Sequence, residues 1–452
     1  MNILYMHTHD SGRFLSPYGV DTPTDNLLNF AKDSVVFREA FCASPTCSPS
    51  RAALLTGTYP HNNGMLGLAH RGFKLNDYNK HLVNYLKKFD YEAVLCGVQH
   101  EAALWRNHKL AAETIGYDIN LTTDSENMKD EELVFWDIEN AKKAVSYIKS
   151  VKDKKFFLSF GMFATHRKYP VEIDEEVDDR YIALPPLTVD NEGNRKDTAK
   201  FYTSAKYADK CIGMIIEALK ETGLYEDTLI LFTTDHGMAN PFNKCNLLDF
   251  GTGVSLILRD PKQKEQGRVI DALVSHVDIF PTICDLLNIE KPDWIQGVSL
   301  SELLSGNISK VRDEVFAEMN FHTSYEPARS VRTNRYKYIR YYDNYNKINY
   351  SNIDDSIPKD FLLENGLLEK EKDMEALYDL YYDPYERNNL VNDEKCREVL
   401  EDLRKRLLNW QRDTDDIILE GDIPIPKEAK VNKRECISPA SKNKEDYDQL
   451  PY

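Results

Sequence analysis

The chain has 452 residues, 42% hydrophobic and 29% charged, a globular balance that excludes a disordered tail protein and suffices for one large α/β domain or two domains. Its 57 Lys and Arg stand against 74 Asp and Glu, and the net charge of −17 argues against nucleic acid and long polyanions as partners while leaving room for a small anionic substrate. The eight cysteines, at 42, 47, 96, 211, 245, 284, 396 and 436, form no CxxC pair, which fits buried thiols in a reducing compartment better than a disulfide framework.

From Met1 the chain enters an apolar strand directly, with no signal-like region ahead of it and no apolar run of bilayer length. A cytoplasmic protein with no membrane partner is expected. Strands are predicted at 2–8, 91–96, 155–163, 227–234 and 253–258, and helices at 24–33, 48–56, 79–89, 137–150, 197–223 and 276–288. In 197–223 the residues Tyr202, Ala205, Ala208, Ile212, Ile215 and Ile216 recur at helical spacing. The alternation predicts an α/β fold whose central, mostly parallel sheet is flanked by helices over residues 1–310, with ligands held beyond the carboxyl ends of the strands. Short β runs at 314–318, 328–333, 335–342 and 376–380 and a helix at 393–412 predict a smaller C-terminal α+β subdomain over 311–412. The polar stretch 343–372 reads as an insertion loop, and 413–452 as an extended tail.

The most specific segment is Cys47-Ser48-Pro49-Ser50-Arg51, continuing to Leu55-Thr56-Gly57. Ser and Pro here suit a helix start. On the residues alone, Cys47 is either a nucleophile activated by the helix dipole and Arg51, or a helix-start cysteine with no role.

Cys-x-Pro-Ser-Arg followed by Leu-Thr-Gly resembles the signature of type I sulfatases, and further pieces of that pattern follow in order from Asn2 to about Leu390. The resemblance implies an alkaline-phosphatase-like fold and oxidation of Cys47 by a formylglycine-generating maturation enzyme. It also implies a divalent metal, Ca²⁺ before Mg²⁺ or Mn²⁺. The metal ligands it implies are Asp10, Asp235 and His236 with the modified Cys47. His9 stands where these enzymes carry an aspartate and is either a ligand or a hydrogen-bonding neighbour; imidazole there shifts preference toward softer ions. His7, on the other face of its strand, is expected to pack.

The catalytic set implied by the resemblance is Cys47, Arg51, His100, His166 and Lys244: His100 as base, His166 as acid for the leaving group, Lys244 as sulfate-binding cation. Val98 stands where the family places a further lysine. Thr165-His166-Arg167, the run Thr56–Leu68 and the segment from Asn320 to Arg332 resemble the N-sulfoglucosamine sulfohydrolase branch, which makes Arg167, His322, Arg329 and Arg332 candidate substrate-binding residues. As a basic strand edge, His322, Arg329 and Arg332 could equally be solvated. The expected activity is hydrolysis of sulfate esters or sulfamates of small sulfated sugars. The rival readings are a phosphonate or phosphate-ester hydrolase on the same fold, and a sulfated-sugar binder that no longer turns over.

Overall fold

The computed structural model describes residues 1–152, 154–263 and 267–450. Its central sheet is built from β1 (Asn2–Thr8), β2 (Val35–Phe37), β3 (Glu92–Gly97), β4 (Ile119–Asn120), β5 (Phe156–Gly161), β6 (Thr228–Thr234), β7 (Leu256–Arg259) and β8 (Arg268–Ile270), in the spatial order β4-β3-β5-β1-β6-β7-β2-β8. Only β7 runs against its neighbours; every other pair in this sheet is parallel. The mostly parallel sheet read from the alternation is therefore present. The short strands β2, β4 and β8 were not legible, because runs of two or three residues carry no period.

All seven residues of β1 are buried. Ile3 and Tyr5 enter the apolar layer on one face, Leu4 and Met6 that on the other. A strand covered on both sides keeps a continuous apolar run, because neither face meets water. The helix predicted at 197–223 spans Glu192–Glu221 and lays Phe201, Ala205, Ala208, Ile212 and Ile215 into the core. Its start is set by Asn191, whose side chain accepts from the Asn194 backbone N–H.

One glycine decides how the chain leaves β3. Gly97 has φ +88°, and a Cβ placed there would lie 2.1 Å from the Gly161 carbonyl oxygen. That carbonyl accepts from the Val98 N–H at 2.8 Å, so the turn toward His100 is pinned against β5. Gly97→Ala is expected to cost at least about 2 kcal/mol, through positive φ and backbone overlap together. A denaturation midpoint equal to that of the native chain would contradict this.

Four antiparallel strands follow, β9 (Glu314–Phe321), β10 (Tyr325–Thr333), β11 (Tyr336–Tyr341) and β12 (Glu375–Asp379), with the helix Arg397–Asp413 packed on them through Leu400, Leu403, Leu407 and Trp410. The stretch 343–372 is not a bare loop, since it contains the helix Ile357–Glu364. The segment expected as an extended tail folds back instead. Ile418, Ile423, Ala429 and Val431 are buried beside Met65, Phe73 and Phe321, and β13 (Val431–Asn432) pairs with β14 (Tyr447–Gln449). Pro451 and Tyr452 of that expectation lie outside the described residues. Among the described residues no helix is long and apolar enough to cross a membrane. All eight cysteines are free thiols.

Candidate active site

Two strand ends and one helix start meet at the carboxyl edge of the sheet. β1 ends into His9-Asp10, where Asp10 takes φ +57°, a region that aspartate tolerates better than most side chains. β6 ends into Asp235-His236. The Asp10 N–H donates to Asp235 Oδ1 at 2.9 Å, locking together segments 225 positions apart. At Gly237 a Cβ would lie 1.8 Å from the Phe250 carbonyl, so only glycine lets the backbone pass after His236.

The signature helix Cys47–Thr56 is buried along all ten residues, and Cys47 opens it. Its Sγ lies 3.3 Å from His236 Nε2. Two polar ties set the helix against β6: Ser50 Oγ donates to the Asp235 carbonyl at 2.5 Å, and Arg51 Nη2 meets Asp235 Oδ2 at 2.9 Å. Arg51 Nη1 also donates to His7 Nδ1 at 2.5 Å. His7 thus packs, as expected, and steadies the guanidinium. Burial pushes the Cys47 thiol well above its ordinary pKa, more than Lys244 lowers it, so the unmodified side chain is a neutral thiol and not an activated thiolate.

His9 Nδ1 lies 2.8 Å from Asp10 Oδ1 and 3.2 Å from Asp235 Oδ2. His236 Nε2 lies 3.3 and 3.7 Å from the same two oxygens. Donor atoms of Asp10, Cys47, Asp235 and His236 lie within 4.8 Å of one another, as do those of His9, Asp10, Cys47 and His166. Buried nitrogen and oxygen atoms converging in this way fit a divalent cation. Burial alone would raise both carboxyl groups, yet Lys244 and the surrounding imidazoles hold Asp10, and His236, His9 and Arg51 hold Asp235, well below the usual carboxylate range. Both are anionic at neutral pH.

Lys244 Nζ bridges Asp10 Oδ2 at 2.8 Å and Asp354 Oδ2 at 3.0 Å, and lies 3.5 Å from His166 Nε2. Burial opposes its charge, but the two carboxylates raise Lys244 well above its ordinary pKa and keep it an ammonium. His166 is the most open member of the cluster, its side chain 27% exposed, with its ring edge-on to His9. His100 is buried, and burial, with the His70 and His9 imidazoles, holds it well below the usual histidine pKa, so it stays a neutral base. Its Nε2 meets Nδ1 of the exposed, stacked His70 at 2.8 Å, while its own Nδ1 has no partner. Val98 packs among Leu133, Trp136 and Phe163.

The four candidate substrate-binding residues separate. His322 reaches the site wall, with Nδ1 2.7 Å from Oγ1 of Thr46, the residue before Cys47. Arg329 does not: it is fully buried and forks onto both oxygens of Asp416 at 2.7 and 2.8 Å, so the substrate role expected of it is corrected to a structural pair. Arg332 lies on the other face of β10 and pairs with Glu39 at 2.8 Å and Asp249 at 3.2 Å, which removes it too from the substrate set. Every nitrogen of the Arg167 guanidinium is engaged, by Asp197, Asn240 and the Ala239 carbonyl; it holds the His166 loop and has no fork left for a substrate. Sequence reasoning missed Asp354, which lies in a stretch without periodicity, and His70, which stands just past the end of the recognisable run at Leu68.

A family model described as Sulfatase matches residues 7–289, and one described as N-sulphoglucosamine sulphohydrolase, C-terminal, matches residues 235–361. The chain belongs to the sulfatase family and is a sulfuric ester hydrolase. Among curated relatives, an ulvan-active sulfatase of Formosa agariphila is 28% identical over 434 residues, covering 90% of this chain and 78% of the relative. The human N-sulphoglucosamine sulphohydrolase is 27% identical over 450 residues, covering 87% of this chain and 86% of its own length. A solved 2-O GAG sulfatase superposes with a TM-score of 0.72 at 23% identity, covering 94% of this chain and 95% of that one, so the alkaline-phosphatase-like architecture expected from the signature is present.

Proposed function

We propose that the chain hydrolyses the sulfate ester or sulfamate of a small sulfated sugar of the N-sulfoglucosamine kind, through Cys47 converted to formylglycine and a divalent metal. The observation that carries this is the convergence on Cys47 of the two strand-end pairs, Asp10 with His9 and Asp235 with His236. Converted to formylglycine by a separate maturation enzyme, Cys47 would supply an aldehyde hydrate as the nucleophile toward sulfur. Asp10, Asp235, His236 and His9 would hold the metal, which would supply positive charge for the sulfate oxygens.

The remaining work falls to side chains of the chain itself. Lys244, an ammonium fixed by Asp10 and Asp354, faces the sulfate oxygens, and a charge-assisted contact in a dry site stabilises developing negative charge there. His166, at the open side of the cluster, donates a proton to the departing amine or hydroxyl. His100, buried and neutral, accepts a proton at the closed side, and His70 beside it is open to solvent. Arg51 acts by holding Asp235. A net charge of −17 and the burial of these groups favour mono- or disaccharides over intact polyanionic chains, and the free thiols fit a cytoplasmic setting.

The test is inorganic sulfate release by protein co-expressed with a formylglycine-generating enzyme, on N-sulfoglucosamine and N-acetylglucosamine 6-sulfate side by side. Release from the N-sulfated sugar is expected, falling by about 10⁴-fold or more in Cys47→Ala. Silence on both sugars with Cys47 shown to be converted, or equal rates on intact heparin, would sink the reading. Phosphonate turnover in place of sulfate release would move the chain to the rival hydrolase.

A further inference from the structure

The donor set at the strand ends says more about the metal than that one fits. Going round the site, His9 Nδ1, Asp10 Oδ1, His236 Nε2 and Asp235 Oδ2 form a closed ring whose edges are 2.8, 3.3, 3.7 and 3.2 Å. Nitrogen and oxygen alternate, and each edge is short enough for its two atoms to share one ion. The size therefore admits either a calcium-like or a transition ion, and the chemistry of the donors has to decide.

Three observations point the same way. Half of the ring is imidazole, whereas Ca²⁺ and Mg²⁺ take oxygen almost throughout and imidazole suits first-row transition ions. His236 Nδ1 lies 2.9 Å from the Gly237 carbonyl; donation of that N–H fixes the tautomer and leaves the Nε2 lone pair aimed into the ring, the support expected of a ligating histidine. Both carboxylates are also already matched by fixed cations, Asp10 by Lys244 at 2.8 Å and Asp235 by Arg51 at 2.9 Å. A hard cation bound mainly by anionic charge loses much of its attraction there, while directional bonding to two imidazoles does not.

We infer that this centre selects a first-row transition dication such as Mn²⁺ or Zn²⁺ over Ca²⁺ and Mg²⁺, with His9 as the ligand that sets the preference. The inference rests on the sulfatase reading for the purpose of the site, but its test does not depend on turnover.

Full-length protein, co-expressed with the maturation enzyme and stripped with a chelator, is titrated calorimetrically with Mn²⁺, Zn²⁺, Ca²⁺ and Mg²⁺. Mn²⁺ and Zn²⁺ are expected to bind about 100-fold more tightly than Ca²⁺. In His9→Asp that ratio falls by about tenfold or more. Should the variant fail to fold, the native chain loaded with Mn²⁺ serves instead, where pulsed electron paramagnetic resonance detects ¹⁴N coupling from two imidazoles. Ca²⁺ binding as tightly as Mn²⁺, a ratio unmoved in folded His9→Asp, or fewer than two imidazole couplings would each overturn the inference, leaving His9 as a hydrogen-bonding neighbour. Sulfate released by the Ca²⁺-loaded native chain alone would overturn it while sparing the sulfatase reading. Tight Mn²⁺ binding without sulfate release would support it and remove that reading.

Discussion

Asp235→Asn is expected to damage stability and turnover together. One oxygen of this buried carboxylate accepts from the backbone N–H groups of Asp10 and His236 at 2.9 and 3.1 Å; the other meets Arg51 at 2.9 Å and His9 at 3.2 Å. Asparagine keeps an acceptor for the two N–H groups but turns an NH₂ toward Arg51. The guanidinium, 1% exposed and with its Nε already unpartnered, is then left as a buried charge. Breaking a buried pair from one side costs about 3–5 kcal/mol, because the surviving ion is neither solvated nor paired. The same change removes one of the two carboxylates proposed to hold the metal, and sulfate release is expected to fall by about 10³-fold or more. Denaturant unfolding and sulfate release on one preparation check both halves. A variant of native stability would show that Arg51 has another counter-charge.

What the sequence made legible, and what it did not, divides along physical lines. Strand-end polar residues stand out because they interrupt continuous apolar runs: His9-Asp10 after β1 and Asp235-His236 after β6 were placed by position at strand ends and given their ligand role by the sulfatase resemblance, and their meeting follows from the parallel pairing of those strands. Arginines gave no such signal. Arg329 and Arg332 sit in one strand and look alike as letters, yet one faces Asp416, 87 positions on, and the other faces Glu39 and Asp249 from earlier in the chain. Whether a basic residue meets solvent, substrate or a buried carboxylate depends on segments far away in sequence, which no local pattern reports. Asp354 was hidden for the same reason; an acidic residue in a polar stretch becomes informative only once Lys244 lies 3.0 Å from it.

The second large effect is expected at the end of the chain, where composition suggested an extended tail. A chain ending at Asp413 loses Asp416, the partner of Arg329, which is buried and has no other carboxylate within ion-pair distance among the described residues. That step alone costs about 3–5 kcal/mol. It also strips Ile418, Ile423, Ala429 and Val431 from the cluster that covers Met65, Phe73 and Phe321, each larger side chain contributing about 1.5–3 kcal/mol. Arg71 loses the Lys430 and Pro439 carbonyls and the Asn432 side chain, at 2.8 to 3.1 Å. Together these losses reach the whole stability of an ordinary domain, about 5–15 kcal/mol, so the truncated chain should not fold. A chain ending at Lys442 keeps every one of these contacts and gives up the β13–β14 ribbon, the Gln449 side-chain bonds to the Pro426, Lys427 and Ala429 carbonyls, and the packing of Lys430 on Tyr447. The expected result is therefore a sharp difference in soluble, protease-resistant yield between the two truncations. Equal yields would mean that the C-terminal residues cover the signature helix and its neighbours without holding them, and that Arg329 finds its counter-charge elsewhere.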